Sequence, residues 1–227
     1  MTAYHRYGIY VVPEGAFYRA GSAWLGWDSV TGQPLAQPAL DGLPRPVADM
    51  TAKPRKYGLH GTVKPPFRLA DGTTEAGLRS AVAETCARLS AVEVPALSVR
   101  RLGGFVAVVP TEPCPQLAEM AGPVVKGLDA FRAPPTQAEL AKRRKSGLTP
   151  RQEALLAKWG YPYVLDEFRF HITLTGKLGS EAAPVAARLH AHFAPVLPQP
   201  FRVGSLCLMG EDEAGRFHLL HRYTLSG

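Results

Sequence analysis

Hydrophobic and polar residues alternate strictly over the ten residues FRFHITLTGK, positions 168–177. The apolar phase consists of Phe168, Phe170, Ile172 and Leu174, and the polar phase of Arg169, His171, Thr173, Thr175 and Lys177. Because successive side chains of a strand point to opposite faces of the sheet, this pattern predicts a half-buried β-strand. Its polar face carries an imidazole, two hydroxyls and two cations in one row, which makes it a candidate site.

A second segment repeats this arrangement at YGLHGTVK, residues 57–64. It predicts a strand that Pro65-Pro66 ends, because proline cannot donate to a sheet ladder. On that strand His60, Thr62 and Lys64 are expected to share one face. The sequence His-x-Thr therefore occurs twice, each time on a predicted strand.

The elements that follow the two strands also repeat as β–α–β–β. The first set is a strand at 57–64, a helix at 73–90 and a hairpin at 94–109; the second is a strand at 168–177, a helix at 181–193 and a hairpin at 201–225. The duplication predicts an α+β fold of two pseudo-symmetric β–α–β–β lobes, whose largely antiparallel sheets form a central cleft. The His-x-Thr strands are expected on opposite walls of that cleft.

The remaining segments complete a single bilobal domain over residues 1–227. A strand is predicted at 7–12, a short helix at 17–27 and a long Pro- and Gly-rich loop at 32–56. Residues 133–160 predict an inserted helical hairpin, with Thr136 and Thr149 as caps of its two helices. The first lobe is then expected at 57–132 and the second at 161–227.

Charge and cysteine content narrow the classes of partner. The formal net charge of +7 favours anionic partners, although the basic groups at 53–56 and 142–145 are also typical of solvated surfaces. Three widely separated cysteines argue against a disulfide framework and predict a reducing, cytoplasmic location. No apolar run approaches a membrane span, and we expect neither a signal peptide nor a membrane partner.

Two facing rows of histidine and threonine suit phosphodiester hydrolysis. In-line displacement at phosphorus needs a base beside the incoming water and an acid beside the departing oxygen, and histidine serves either role near neutral pH. Thr62 and Thr173 are expected to hold non-bridging oxygens. No carboxylate stands at a metal-ligand spacing from the other histidines, and no phosphate-binding loop or dinucleotide fingerprint is present. We therefore expect no metal and no cofactor.

HGT at 60–62 and HIT at 171–173 resemble the paired motifs of the two-histidine (2H) phosphoesterase superfamily. The stretches YGLHGTVKPPFRLA, RAPPTQAELAKRRKSGLTPRQEALLAKWGYPYVLDEF and FRFHITLTGKL look like a bacterial branch associated with phosphonate metabolism and otherwise of unknown function. The resemblance covers nearly the whole chain, including the helical insertion.

The resemblance implies a metal-independent cyclic phosphodiesterase whose site is His60, Thr62, His171 and Thr173. Its phosphonate association implies a small phosphorylated substrate, with 5-phosphoribosyl 1,2-cyclic phosphate as the natural candidate. Better-known 2H enzymes act on 2′,3′-cyclic phosphates of RNA ends or on ADP-ribose 1″,2″-cyclic phosphate.

Further residues near the motifs are candidates for substrate binding. These are Lys64 and Lys177 as phosphate contacts, Thr175 at the rim, and Tyr57 and Tyr163 beside a sugar. The basic run 142–145 is a candidate partner for a second phosphate, although a solvated helix face is its simpler interpretation.

Two other functions stay open at this point. RNA 2′,3′-cyclic phosphate end processing would call for a basic groove with exposed aromatic residues. A non-catalytic nucleotide or sugar-phosphate binding module would explain the charge and the hydroxyls, but not the two imidazoles. The near-equivalent motifs do not indicate which histidine is the acid, and nothing indicates the oligomeric state.

Overall fold

The fold is organised around a seven-stranded antiparallel sheet, seen in a computed structural model that describes residues 4–145 and 147–227. The strand order is β11-β10-β1-β4-β8-β7-β6. Its strands are β1 (Arg6–Val11), β4 (Gly61–Phe67), β6 (Leu97–Leu102), β7 (Phe105–Pro110), β8 (Ile172–Thr173), β10 (Ser205–Glu211) and β11 (Phe217–Thr224). Two short pairs lie outside it, β2 (Trp27–Asp28) with β3 (Gln33–Pro34) and β5 (Val92–Val94) with β9 (Phe201–Val203). The predicted α+β class with antiparallel pairing is confirmed.

Helices connect these strands. They are α1 (Gly15–Leu25), α2 (Val47–Arg55), α3 (Glu75–Cys86), α4 (Pro115–Gly127), α5 (Gln137–Arg144), α6 (Pro150–Trp159) and α7 (Ala182–Phe193). The inserted hairpin is α5 and α6, and the hydroxyls of Thr136 and Thr149 cap them through reciprocal capping boxes as predicted. Within the described residues, none of these helices is long and apolar enough to cross a bilayer.

Strand pairing crosses the boundary between the two halves of the repeat. The first His-x-Thr strand, β4, pairs with β1, which pairs in turn with the C-terminal hairpin β10–β11. The second, β8, pairs with β7 of the N-terminal hairpin. The order of elements along the chain is duplicated as predicted, but β8 lies beside the hairpin of the first half, and β1 lies between β4 and the hairpin of the second half. The two halves of the repeat are therefore not separate hydrogen-bonded units of the sheet.

β4 contains a bulge that changes which way Lys64 points. Thr62 pairs with Tyr10 and Lys64 pairs with Ile9, so Val63 is an extra residue on β4. Because Tyr10 and Ile9 are consecutive, their side chains lie on opposite faces, and so do those of their partners. The expectation that Lys64 shares a face with the motif is therefore wrong.

The ammonium of Lys64 instead lies in the interior beneath α4. The side chain is 2% exposed, and Nζ donates to the Val125 carbonyl at 3.0 Å, with Asp129 Oδ1 at 3.4 Å. That carbonyl belongs to the last turn of α4, where backbone acceptors lack helical partners. Burial lowers the pKa of Lys64 to about 8, opposed by the Asp129 carboxylate. Lys64 thus donates a hydrogen bond to the C-terminal turn of α4 and does not face the cleft.

Two predicted boundaries differ from the observed ones. The long loop predicted at 32–56 contains the helix α2. β4 is predicted to end at Pro65-Pro66 but continues to Phe67, because a second bulge places the two prolines opposite the single residue Gly8. The strand predicted at 168–177 pairs regularly only at 172–173. Beyond Thr173 the backbone also bonds to a side chain: Trp24 Nε1 donates to the Leu174 carbonyl oxygen at 2.8 Å.

We expect Lys64→Met to lower the free energy of unfolding by about 1–3 kcal/mol, since it leaves a buried carbonyl without its donor. Urea denaturation at pH 7 measures this change. Lys177→Met is the matched control, because Lys177 is exposed and its loss should cost no more than about 0.5 kcal/mol. Equal, small losses in both variants would contradict the placement of Lys64.

Candidate active site

Both His-x-Thr motifs line one cavity of about 300 Å³. Its lining includes the predicted His60, Thr62, His171 and Thr173. They meet in the middle of a single sheet, since β4 and β8 are neighbouring strands, rather than across two separate sheets. The structure therefore brings the two motifs together, while their catalytic roles stay predictions.

The register between β4 and β8 sets the positions of the motif side chains. Gly61, the middle residue of the first motif, pairs with Ile172, the middle residue of the second. In an antiparallel pair this register lays each histidine across from the threonine of the other motif. Gly61 is needed here, because a Cβ atom at this position would lie 2.6 Å from the ring of Phe170.

The two imidazoles are oriented by the same backbone contact. His60 Nδ1 lies 3.0 Å from the Gly58 carbonyl oxygen, and His171 Nδ1 lies 2.9 Å from that of Arg169. A carbonyl only accepts, so Nδ1 carries the hydrogen in each ring and donates it. In the neutral tautomer Nε2 then keeps its lone pair, which makes it the nitrogen available for proton transfer.

Aromatic rings surround His60. Tyr10 stacks on the imidazole with ring centroids 4.0 Å apart, and the Tyr57 ring lies at 5.6 Å. Burial lowers the pKa of His60 to about 4, while the contact with Gly58 acts in the opposite direction. Thr62 Oγ1 is 3.1 Å from Nε2 and donates to it in the neutral form. His60 is therefore held neutral, with its lone pair towards the motif threonine.

His171 has a different environment although its motif is equivalent. The ring that packs near it is Phe105, with centroids 5.9 Å apart. The near-symmetry of the two motifs in the sequence therefore does not extend to their surroundings, because β1 supplies Tyr10 on one side and β7 supplies Phe105 on the other.

The predicted substrate-binding residues divide into two groups. Tyr57, Thr175 and Lys177 line the cavity, but the Thr175 hydroxyl is occupied, accepting from Val106 N at 3.0 Å and donating to the Gly176 carbonyl at 2.9 Å. Lys64 and Tyr163 do not line it. Tyr163 is 39% exposed and packs edge-on against Tyr161. Of these two tyrosines, Tyr161 lines the cavity.

Several lining residues had no signal in the sequence. Tyr10 belongs to the strand RYGIYV, in which five of the six residues are buried. Its sequence has no alternation of apolar and polar residues that would indicate which side chains face the cavity. Lys53 falls within the predicted loop and is in fact on α2, and Phe105 begins a hairpin strand. Among the described residues, no group of three or more His, Cys, Asp or Glu side chains is arranged as metal ligands.

Comparison with known proteins places the chain in a family. Residues 62–218 match the model of the family described as "Protein of unknown function (DUF1045)", and the chain belongs to that family. The match includes β8 and β4 from Thr62 onward, and it begins just after His60 and Gly61.

Two curated bacterial relatives carry the name "Ribose 1,5-bisphosphate phosphokinase PhnN". The protein of Janthinobacterium sp. (strain Marseille) is 37% identical over 218 residues, which are 92% of this chain and 48% of the relative. That of Laribacter hongkongensis (strain HLHK9) is 40% identical over 213 residues, 92% of this chain and 49% of the relative. The chain thus spans about half the length of these relatives.

Solved structures similar to the chain include a phosphoesterase and LigT of E. coli. "Crystal structure of phosphoesterase" aligns at 15% identity with a TM-score of 0.46, covering 99% of this chain and 100% of the other. "Crystal structure of E.coli LigT complexed with NADP+" aligns at 13% identity with a TM-score of 0.47 and the same coverage. Both alignments extend over nearly the whole chain, with low sequence identity and TM-scores below 0.5.

The low pKa of His60 makes stability depend on pH. The unfolded chain binds a proton at this residue below about pH 6.5 whereas the folded chain binds it only near pH 4, so stability falls as the pH drops through that window. Relative to pH 7, we expect this one residue to remove about 2 kcal/mol by pH 4.5. Urea titrations of wild type and His60→Gln measure it as the difference between their pH dependences.

The control for that measurement is His190→Gln, because His190 is exposed on α7 away from the cavity. We expect it to follow the wild type at both pH values. Parallel curves for wild type and His60→Gln would contradict the burial of the neutral imidazole.

Proposed function

We propose that this chain is a metal-independent cyclic phosphodiesterase of the 2H type, which opens a small cyclic phosphate ester by general acid–base catalysis. The observation that carries the proposal is the pair of imidazoles in one cavity, each with Nδ1 donating to the carbonyl two residues earlier. A single oriented histidine is common in proteins. Two on adjoining strands, each beside a threonine, provide the base and the acid that in-line hydrolysis requires.

The surroundings of the two histidines favour different roles for them. His60 is held neutral, so we assign it as the base that takes a proton from the attacking water. His171 then acts as the acid that gives a proton to the departing sugar oxygen. The new bond joins the water oxygen to phosphorus and the bond to the leaving oxygen breaks, so one cyclic diester and one water become one monoester.

The threonines are expected to bind the non-bridging phosphate oxygens. Thr62 Oγ1 contacts His60 Nε2 in the structure, and a phosphate oxygen would take over that hydroxyl while water approaches Nε2. Thr173 lines the cavity and lies two residues after His171 in the chain, as Thr62 does after His60. Hydroxyls aimed at phosphate oxygens stabilise the charge that develops in the transition state.

The candidate substrate is 5-phosphoribosyl 1,2-cyclic phosphate. The relatives are named for a kinase that acts on ribose 1,5-bisphosphate. Water attack that breaks the bond from phosphorus to O2 of the cyclic ester leaves the phosphate on O1 and yields that same bisphosphate. The chain has no G-x-x-x-x-G-K-[ST] loop, so we attribute the kinase activity to the part of the relatives that it does not span.

Cyclic nucleotides are the second candidate substrate class. The rings of Tyr57 and Tyr161 line the cavity, and aromatic rings are typical stacking partners for bases. An RNA 2′,3′-cyclic phosphate end would place its terminal base there. Steep loss of binding with added salt would accompany a longer RNA, because phosphate contacts release counterions.

Phosphorus NMR of the purified protein in the presence of EDTA tests the chemistry. The substrates are 5-phosphoribosyl 1,2-cyclic phosphate, 2′,3′-cyclic nucleotides and ADP-ribose 1″,2″-cyclic phosphate, each followed separately. We expect turnover of the first, and a loss of about 10²–10⁴ in rate in His60→Ala and in His171→Ala. His190→Ala is the control that should keep the wild-type rate. Full activity in both motif variants would refute the mechanism, whereas tight binding without turnover would favour a binding module.

The pH dependence of kcat/KM separates the two roles. We expect an acidic limb near pH 4, where His60 becomes protonated, and an alkaline limb where the acid loses its proton. Initial rates between pH 3.5 and 9 at constant ionic strength measure both limbs, and circular dichroism confirms folding at each pH. A flat profile between about pH 5 and 9 would contradict an imidazole acid.

A further inference from the structure

The cavity carries more positive charge than a single cyclic phosphate requires. Among the described residues, its lining includes the cations Lys53, Arg143 and Lys177 and no carboxylate. A cyclic phosphodiester has one negative charge, and the motif threonines and imidazoles already face it. Three further cations around a cavity without acidic residues indicate a second anionic group on the ligand.

The two lysines lie on one wall, which α2 and the segment after β8 form together. Gly176 N donates to the Met50 carbonyl of α2 at 2.7 Å. A Cβ atom built on Gly176 would lie at an ordinary contact distance of 3.8 Å from the Cβ of Lys53, so Lys53 lies directly beside this segment. Lys177 follows directly in the chain. Both lysines are exposed, and neither has an ion pair with another described residue.

Arg143 reaches the same cavity from the inserted hairpin. It lies on α5, and its guanidinium carbon is 4.6 Å from the centroid of the Tyr161 ring. Tyr161 itself lines the cavity, so this contact holds the guanidinium of the exposed Arg143 at the edge of the cavity. The insertion thus contributes a cation to a site that is otherwise built from the sheet and α2.

We propose that Lys53, Lys177 and Arg143 form a second anion subsite, which binds a phosphate monoester carried by the same molecule as the cyclic phosphate. This inference rests on the proposed function, which assigns the two His-x-Thr motifs as the subsite for the cyclic phosphate. A monoester carries up to two charges and three terminal oxygens, which suits two point-charge ammonium groups and one forked guanidinium. A cavity of about 300 Å³ fits a small sugar with two phosphates.

The test measures the preference for a 5-phosphate. The two substrates are 5-phosphoribosyl 1,2-cyclic phosphate and ribose 1,2-cyclic phosphate, and the quantity is the ratio of their kcat/KM values. We expect Lys53→Met, Lys177→Met and Arg143→Met each to lower that ratio about tenfold, the range for loss of a charge-assisted contact. Lys142→Met is the matched control on α5, because Lys142 is exposed and does not line the cavity, and it should leave the ratio unchanged.

A binding measurement keeps the subsite separate from the chemistry. Calorimetry with ribose 5-phosphate needs no turnover, and we expect its affinity for wild type to fall about tenfold in each of the three variants and not in Lys142→Met. If this holds while no cyclic phosphate is hydrolysed, the subsite stands and the proposed function fails.

The opposite outcome refutes the subsite alone. Both cyclic phosphates would then be hydrolysed with the same kcat/KM, and the ratio would not move in any variant. A 2′,3′-cyclic nucleotide is the third arm of the test. If the three variants weaken its turnover as much as that of the 5-phosphorylated substrate, the cations attract any anion and do not form a monoester subsite.

Discussion

The pairing of β4 with β8 at Gly61 and Ile172 is the contact on which the rest of the site depends. It joins the four strands around β1 to the three around β7, and it brings the two His-x-Thr motifs into one register. A side chain at position 61 would displace the Phe170 ring, since a Cβ atom there would lie 2.6 Å from it. The same close approach packs the interior on one face and sets the spacing of the imidazoles on the other.

Desolvation gives the histidine of one motif a different environment from the histidine of the other. Each imidazole donates through Nδ1 to a carbonyl, which keeps Nε2 towards the cavity. The rings of Tyr10 and Tyr57 then surround only His60, and the loss of hydration disfavours its charged form. A duplicated sequence would supply two equal histidines, whereas catalysis by one acid and one base needs them unequal. Strand pairing across the halves of the repeat provides the difference.

The segments outside the repeat provide two of the three basic side chains of the cavity. α2 and the inserted hairpin bring Lys53 and Arg143 to a site whose motif residues carry hydroxyls and imidazoles. The hydrogen bond from Gly176 to Met50 attaches α2 to the end of the second motif strand. In the proposed function, Lys53 and Arg143 therefore serve substrate preference from outside the repeat, while the motif residues within it serve the chemistry.

The sequence by itself determined most of the element types, the duplicated order and the four motif residues, although it missed α2. Strict alternation and His-x-Thr spacing are local properties, and the capping hydroxyls of Thr136 and Thr149 act within one helical turn. Only the tertiary structure decided which strands pair. It also decided that the bulge at Val63 sends Lys64 under α4, that Tyr163 stays outside, and that Tyr10 and Lys53 line the cavity. These outcomes depend on contacts between residues far apart in the chain, and a periodic pattern carries no information about the partner of a strand or the position of an extra residue within it.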